Sequence, residues 1–245
     1  MTQAVTLSDA GTAPQGLAAR IVGVLLSPGA TYADVAARPR VLGVLAFVVI
    51  VTASVWFAFL STTVGQDALF NQQMDIMESF GVQLPEQAYD QMEQGLRWAP
   101  YSTAASQIVF LPVSALIIAG LILAVFNAIM GGNATFKHVY AVVVHSGVVL
   151  ALHSLFMAPL NYVRASMSSP STLRAFMPFL DESSFAGRFV GMIDLFYIWW
   201  IVNLSIGIAV LYRKRTAPIA TSALGVYGVL ILLIAAVMTR FSGGQ

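Results

Sequence analysis

The stretch MIDLFYIWWIVNLSIGIAVLYRKRTAPIATSALGVYGVLILLIAAVMT, residues 192–239, decides the fold. It holds two apolar runs around three consecutive cations, Arg213-Lys214-Arg215. Met192 to Tyr212 carries a single charge, Asp194, and Pro218 to Thr239 carries none. Each run is long enough to cross a bilayer as a helix, which takes ~20 residues at ~1.5 Å rise each. Three cations in a tight turn between two spanning helices predict that this turn faces the cytoplasm. The direction of every other span follows from that turn.

Composition points the same way. Of 245 residues, 58% are hydrophobic and 9% charged, where a soluble domain carries about 25% charged residues. A chain so poor in charge cannot cover a water-facing surface. No ~10-residue alternating segments mark an outer-membrane barrel, so the expected class is all-α: an integral membrane helix bundle. The chain has no cysteine, which excludes disulfides, thiolate catalysis and cysteine metal sites.

Outward from residues 192–239, the pattern predicts five spans, at about 41–60, 103–130, 138–160, 192–212 and 218–239. Residues 1–15 read as a disordered tail and 16–40 as cytoplasmic interfacial helices. There Leu17, Ile21, Val24 and Leu25 repeat at helical spacing with Arg20 beside them, as in an amphipathic helix lying in the interface. Pro28 can start a second short helix. Loops 61–101 and 161–191 are placed outside. Pro112 is expected to kink span two, and Gly120, Ala124 and Ala128 form a stripe of small residues suited to close helix contact.

The charges support one orientation. Inside segments hold Arg20, Arg38, Arg40, Lys137, Arg213, Lys214 and Arg215 against Asp9 and Asp34. Outside segments hold Arg97, Arg164, Arg174, Arg188 and Arg240 against nine acids including Asp194. The excess of cations in the short inner turns predicts an N-terminus inside and a C-terminus outside.

Several short motifs then resemble a known family. Leu25-Leu26-Ser27-Pro28-Gly29-Ala30-Thr31 followed by Arg38-Pro39 is similar to the approach to the first span in bacterial members of the Yip family, the Ypt/Rab-interacting proteins. Gly131-Gly132 with Phe136-Lys137 resembles that family's turn between spans two and three. Ser169-Pro170, Leu173 and Phe176, then Asp194, Phe196 and Trp199 followed by Gly207, resemble the approach to span four and span four itself. The resemblance covers roughly residues 20–240 and implies a five-helix integral membrane protein, here of a bacterial cytoplasmic (inner) membrane. For eukaryotic relatives it implies vesicle traffic through partners that include prenylated small GTPases. Those relatives share a long cytosolic N-terminal region and an Asp-Leu-Tyr-Gly-Pro type approach. This sequence shows neither, so the resemblance supplies no activity.

The residues that carry chemistry are few. Asp194 is the one carboxylate close to a span: it reads either as an ion or proton ligand or as an interfacial helix cap. His145 and His153 lie about 80° apart on span three. With Ser146 they suggest a proton relay or solute contact, or else simple bonds to neighbouring helices. Val149 and Met157 stand where a second metal ligand would be needed, so no metal site is expected. Asn127 and Asn203 are polar groups that lipid would not tolerate unpaired. Together Asn127, His145, Ser146, His153 and Asn203 form a candidate polar cluster inside the bundle. Arg213, Lys214 and Arg215 are candidate contacts for anionic lipid headgroups. Asn133-Ala134-Thr135 matches a glycosylation acceptor on an inner turn, where it would go unused. No nucleotide, zinc-protease or dinucleotide motif occurs, and no basic patch suits nucleic acid.

The expected function is therefore a scaffold or adaptor without catalysis or cofactor. Its partners would be the bilayer, anionic lipids, and other membrane proteins or further copies of the chain. The alternative is a permease for a small solute, ion or lipid using the polar groups of spans two to four.

Overall fold

The computed structural model describes residues 15–79, 82, 85–181 and 184–242. The tail expected over residues 1–15 lies outside them except for Gln15. Among the described residues the chain is an all-α membrane bundle, in which five helices are long and apolar enough to span.

Two short helices come first, α1 (Leu17–Leu26) and α2 (Pro28–Ala37). The spans are α3 (Leu42–Leu60), α6 (Ala99–Leu123), α7 (Phe136–Arg164), α9 (Leu195–Tyr212) and α10 (Thr216–Ser242). Between α3 and α6 lie α4 (Thr63–Ser79) and α5 (Glu86–Leu96), and between α7 and α9 lies α8 (Phe185–Met192). Local chemistry sets several boundaries. Nineteen residues without charge or proline make α3, a rise of about 28 Å. It stops at Thr62, whose hydroxyl donates to the Phe59 carbonyl (2.7 Å) and accepts from the Gly65 N–H (3.0 Å), opening α4. Between α9 and α10 only Arg213, Lys214 and Arg215 remain. Arg213 takes the left-handed conformation (φ 52°) that lets the Lys214 N–H reach the Ala209 carbonyl at 2.9 Å.

The bundle is built around α7. Buried residues fill 67% of its most apolar window, against 11% for α6 and for α10. The reason is in its side chains: Val142, Val144, Ser146, Gly147, Val148 and Ala151 are small or short, and they let α3, α6 and α9 come close on different sides. In contrast, α10 packs on α9 and α8, and exposes Val226, Val229, Leu230 and Leu233. That is the surface expected where the solvent is lipid.

Two expectations meet a different packing. A Cβ on Gly120 would touch nothing among the described residues, and Ala124 and Ala128 are exposed, so the small-residue stripe is not a close-packed helix contact there. The helix widens to π-helical turns over Ala124–Ile129, which turns Phe126 inward instead. Arg20, read as a cation beside an apolar face, is itself buried at 3% exposure. Its guanidinium meets Asp34 at 2.7 Å and the Arg38 carbonyl at 2.9 Å. The α1–α2 pair folds into a hairpin that packs on α7 and α9.

Candidate functional site

The polar side chains of the spans do not meet at one place. They form separate sets at successive heights along the bundle, and the richest surrounds Asp194.

Asp194 caps α9: its Oδ1 accepts from the Phe196 N–H at 2.8 Å. Its Oδ2 accepts from Ser169 Oγ (2.9 Å) and Ser171 Oγ (2.5 Å). His153 Nε2, from α7, stands 3.6 Å from the same oxygen, an ion-pair rather than a hydrogen-bond distance. The His153 ring lies against Phe196 and Tyr197, with centroids 4.9 and 5.8 Å away. Backbone bonds tie in the loop before α8: Leu195 N–H donates to Ser171 O (3.0 Å) and Leu173 N–H to Ile193 O (2.9 Å). From α10, Tyr227 donates its hydroxyl proton to the Met192 carbonyl (2.6 Å) and accepts from the Asp194 N–H (3.3 Å). The carboxylate thus ties together α7, α9 and the loop at Ser169 and Ser171, while α10 is tied to the backbone beside it through Tyr227. Burial works against its charge. The nearby His153 ring nitrogen, the two serine hydroxyls and the Phe196 N–H outweigh burial and hold the carboxyl well below the usual carboxylate range. Asp194 is therefore ionised at neutral pH, with both carboxylate oxygens already accepting hydrogen bonds. That chemistry suits a fixed anchor better than a group that gives and takes a proton.

Beside this set opens a recess of about 720 Å³. Gln72, Asp75 and Glu78 of α4 line one wall, Ser169, Thr172 and Arg174 of the loop before α8 another, and Arg188 of α8 with the end of α10 a third.

The second set lies midway along α9. Asn203 is 1% exposed and bridges two partners. Its Nδ2 donates to the Val24 carbonyl (2.7 Å), and its Oδ1 accepts from the Tyr32 hydroxyl (2.5 Å). The need for this donor is local. In a continuous helix the Val24 carbonyl would accept from residue 28, but that residue is Pro28, which has no N–H. Gly207, one turn further, lets the Tyr32 ring lie on the α9 backbone: a Cβ there would stand 2.5 Å from Val142 and 2.9 Å from the ring.

The remaining predicted residues hold other partners. Asn127 Nδ2 donates to the Ala134 carbonyl (2.7 Å), and its Oδ1 accepts from the Tyr212 hydroxyl (2.9 Å) near the Arg213 turn. Ser146 Oγ accepts from Trp200 Nε1 (3.0 Å) and donates to the Val143 carbonyl (2.7 Å). His145 Nδ1 bonds the Ala141 carbonyl (2.7 Å), and its buried Nε2 has no partner among the described residues. Arg213, Lys214 and Arg215 are exposed. Among the described residues no three His, Asp or Glu side chains converge as metal ligands. A cavity of about 50 Å³ between α3, α6 and α7 is lined almost wholly by apolar side chains.

Sequence reasoning grouped His153 with His145; the structure sets it beside Asp194. The signal was available by counting. In antiparallel spans, His153 lies 16 residues beyond Lys137 and Asp194 lies 19 before Arg213, so both sit at similar height. Ser169, Ser171, Tyr32 and Tyr227 were missed. The serines sit in an aperiodic loop, and nothing local marks either tyrosine's distant partner.

Among models of known families, the Yip1 domain matches residues 22–238. No curated protein and no solved structure matches the chain.

Proposed function

Because the chain belongs to the Yip1 domain family, we propose that it is a non-catalytic membrane scaffold or adaptor, one that holds partner proteins or organises lipid around a fixed helix bundle. The observation that carries the reading is how the polar groups of the spans are used. Asn127, Ser146 and Asn203 are each bonded to a neighbouring segment, and both carboxylate oxygens of Asp194 accept hydrogen bonds. A permease keeps such groups for its solute; here they hold helices together. A place for a partner is the recess at the Asp194 end, where Asp75 and Glu78 of α4 face a space also lined by Arg174 and Arg188.

We place the Arg213 turn in the cytoplasm and the recess on the opposite side, in a bacterial inner membrane. The three exposed cations of the turn would meet anionic headgroups, each contributing about 1 kcal/mol. Two arms test the proposal. Photocrosslinkers at Gln72 and Asp75 in native membranes should capture a reproducible protein partner. Proteoliposomes carrying the full chain should show no solute flux above empty vesicles. The permease reading keeps a foothold in buried span atoms with no hydrogen-bond partner among the described residues: Nε2 of His145 and of His153, Thr52 Oγ1 and Asn161 Oδ1. Flux that disappears in His145→Ala would replace the adaptor reading with that one.

A further inference from the structure

The depth of the α1–α2 hairpin can be read from its contacts. Leu17, where α1 begins, lies against Gly43, where α3 begins: a Cβ on Gly43 would stand 3.2 Å from a Leu17 methyl. Val24, further along α1, is held by Asn203. Asn203 lies well inside α9, whose last residue before the Arg213 turn is Tyr212. From Leu17 to Val24 a helix advances about 10 Å, and from Tyr212 back to Asn203 about 14 Å. Two independent rulers thus carry the tip, Ser27-Pro28-Gly29, about halfway into a ~30 Å hydrocarbon layer. The chain then returns along α2, past Tyr32 on Gly207, to Arg38 before α3.

The side chains agree with that depth. A helix lying on the water boundary turns its charges outward. This hairpin turns them in: Arg20 is buried on Asp34, and its exposed face is Ala19, Val22, Leu26, Ala30, Ala33 and Ala37, with Ser27 its exposed hydroxyl at the tip. Leu26, at the tip, is 79% exposed. The face adjoins α3, which exposes Leu42 and Ile50, and so continues the apolar surface of a span. A broken helix is tolerated in hydrocarbon where its polar groups are met by protein. Here Ser27 N–H reaches the Gly23 carbonyl (2.8 Å). The Thr31 N–H and hydroxyl both reach the Ser27 carbonyl (3.1 Å each). Asn203 meets the Val24 carbonyl that Pro28 leaves open.

We propose that α1–α2 is a re-entrant hairpin sunk in the leaflet on the Arg213 side, and that the partner of its Val22, Leu26, Ala30 and Ala33 face is the acyl chains of that leaflet. It gives the protein a lipid contact in one leaflet beyond that of its five spans. The inference stands apart from the adaptor reading, since it concerns lipid on the other face.

The chain has no cysteine, so single cysteines report cleanly. Leu26→Cys, Ala30→Cys and the reference Lys214→Cys are made in the full chain and placed in phosphatidylcholine nanodiscs, where both faces meet water. One sample of each is treated with a charged maleimide. In another, bimane attached before assembly is quenched with lipid brominated in mid-chain. The expected result is loss of maleimide labelling at positions 26 and 30 with labelling kept at 214, and bimane quenching at 26 and 30 but not at 214. Labelling at 26 and 30 equal to that at 214 would put the hairpin on the water surface and overturn the proposal. Protection from both maleimide and brominated lipid would overturn it too, by showing that a second copy covers the face.

Discussion

Two of the fastenings of α9 use opposite chemistry. At its N-terminal cap, Asp194 holds α7 and a loop with a full charge. Midway along, Asn203 holds the α1–α2 hairpin with a neutral amide. The difference follows from position. Near the water boundary an ionised carboxylate is sustained by hydroxyls, a helix N-terminus and a nearby imidazole. In mid-span an unpaired charge is expensive. The task there also needs both a donor, for an orphaned carbonyl, and an acceptor, for a phenol. An amide supplies both.

If this contrast is right, Asp194→Ala should do the most damage. It removes the acceptor of two serine hydroxyls and of the Phe196 N–H, and should cost about 3 kcal/mol in a denaturation titration in detergent. The charge also gives this end a pH signature. The folded carboxyl is depressed, so its stabilisation is full above the ordinary carboxylate pKa of about 4 and is lost as pH falls below it. Asp194→Asn should flatten that acid limb; an unchanged limb would place the acid sensitivity elsewhere.

Asn203→Leu should cost less, about 2 kcal/mol, because two neutral partners are stranded. The comparison sharpens in a double-mutant cycle. Pro28→Ala returns an N–H to residue 28, so Asn203→Leu in that background should lose about 1 kcal/mol less. Additive effects would show that Asn203 is not there for the Val24 carbonyl. The smallest effect on stability is expected from replacing Arg213, Lys214 and Arg215 by Gln. Neither fastening uses them, so unfolding should stay within about 0.5 kcal/mol of the parent, while binding to anionic vesicles weakens. A large loss of stability would mean that the turn is itself a structural tie.

Much of the bundle is legible along the chain. Lipid imposes one condition on every spanning residue, and runs such as Leu42–Leu60 state their answer locally. The demand of Asn203 for a partner is legible for the same reason. Its satisfaction is not: Val24 and Tyr32 lie about 170 residues away in sequence, in helices too short to announce that they dock in a bundle. Arg20 misleads in the opposite direction. A lone cation beside Leu17 and Ile21 reads as a water-facing charge until Asp34, one hairpin arm away, is folded onto it. The small-residue stripe Gly120, Ala124 and Ala128 satisfies the rule for helix contact, yet Ala124 and Ala128 stay exposed and a Cβ on Gly120 would touch nothing among the described residues.

The sequence by itself determined the solvent of this protein, its helical class and its five spans. Burying backbone in hydrocarbon is a requirement that each segment meets alone, from its own composition and length. Only the tertiary structure decided that His153 belongs to Asp194 and that a short hairpin enters the bundle to meet Asn203. Those are pairings between donors and acceptors, and a hydrogen bond is satisfied by whatever geometry brings within 3 Å, which no single stretch of chain specifies.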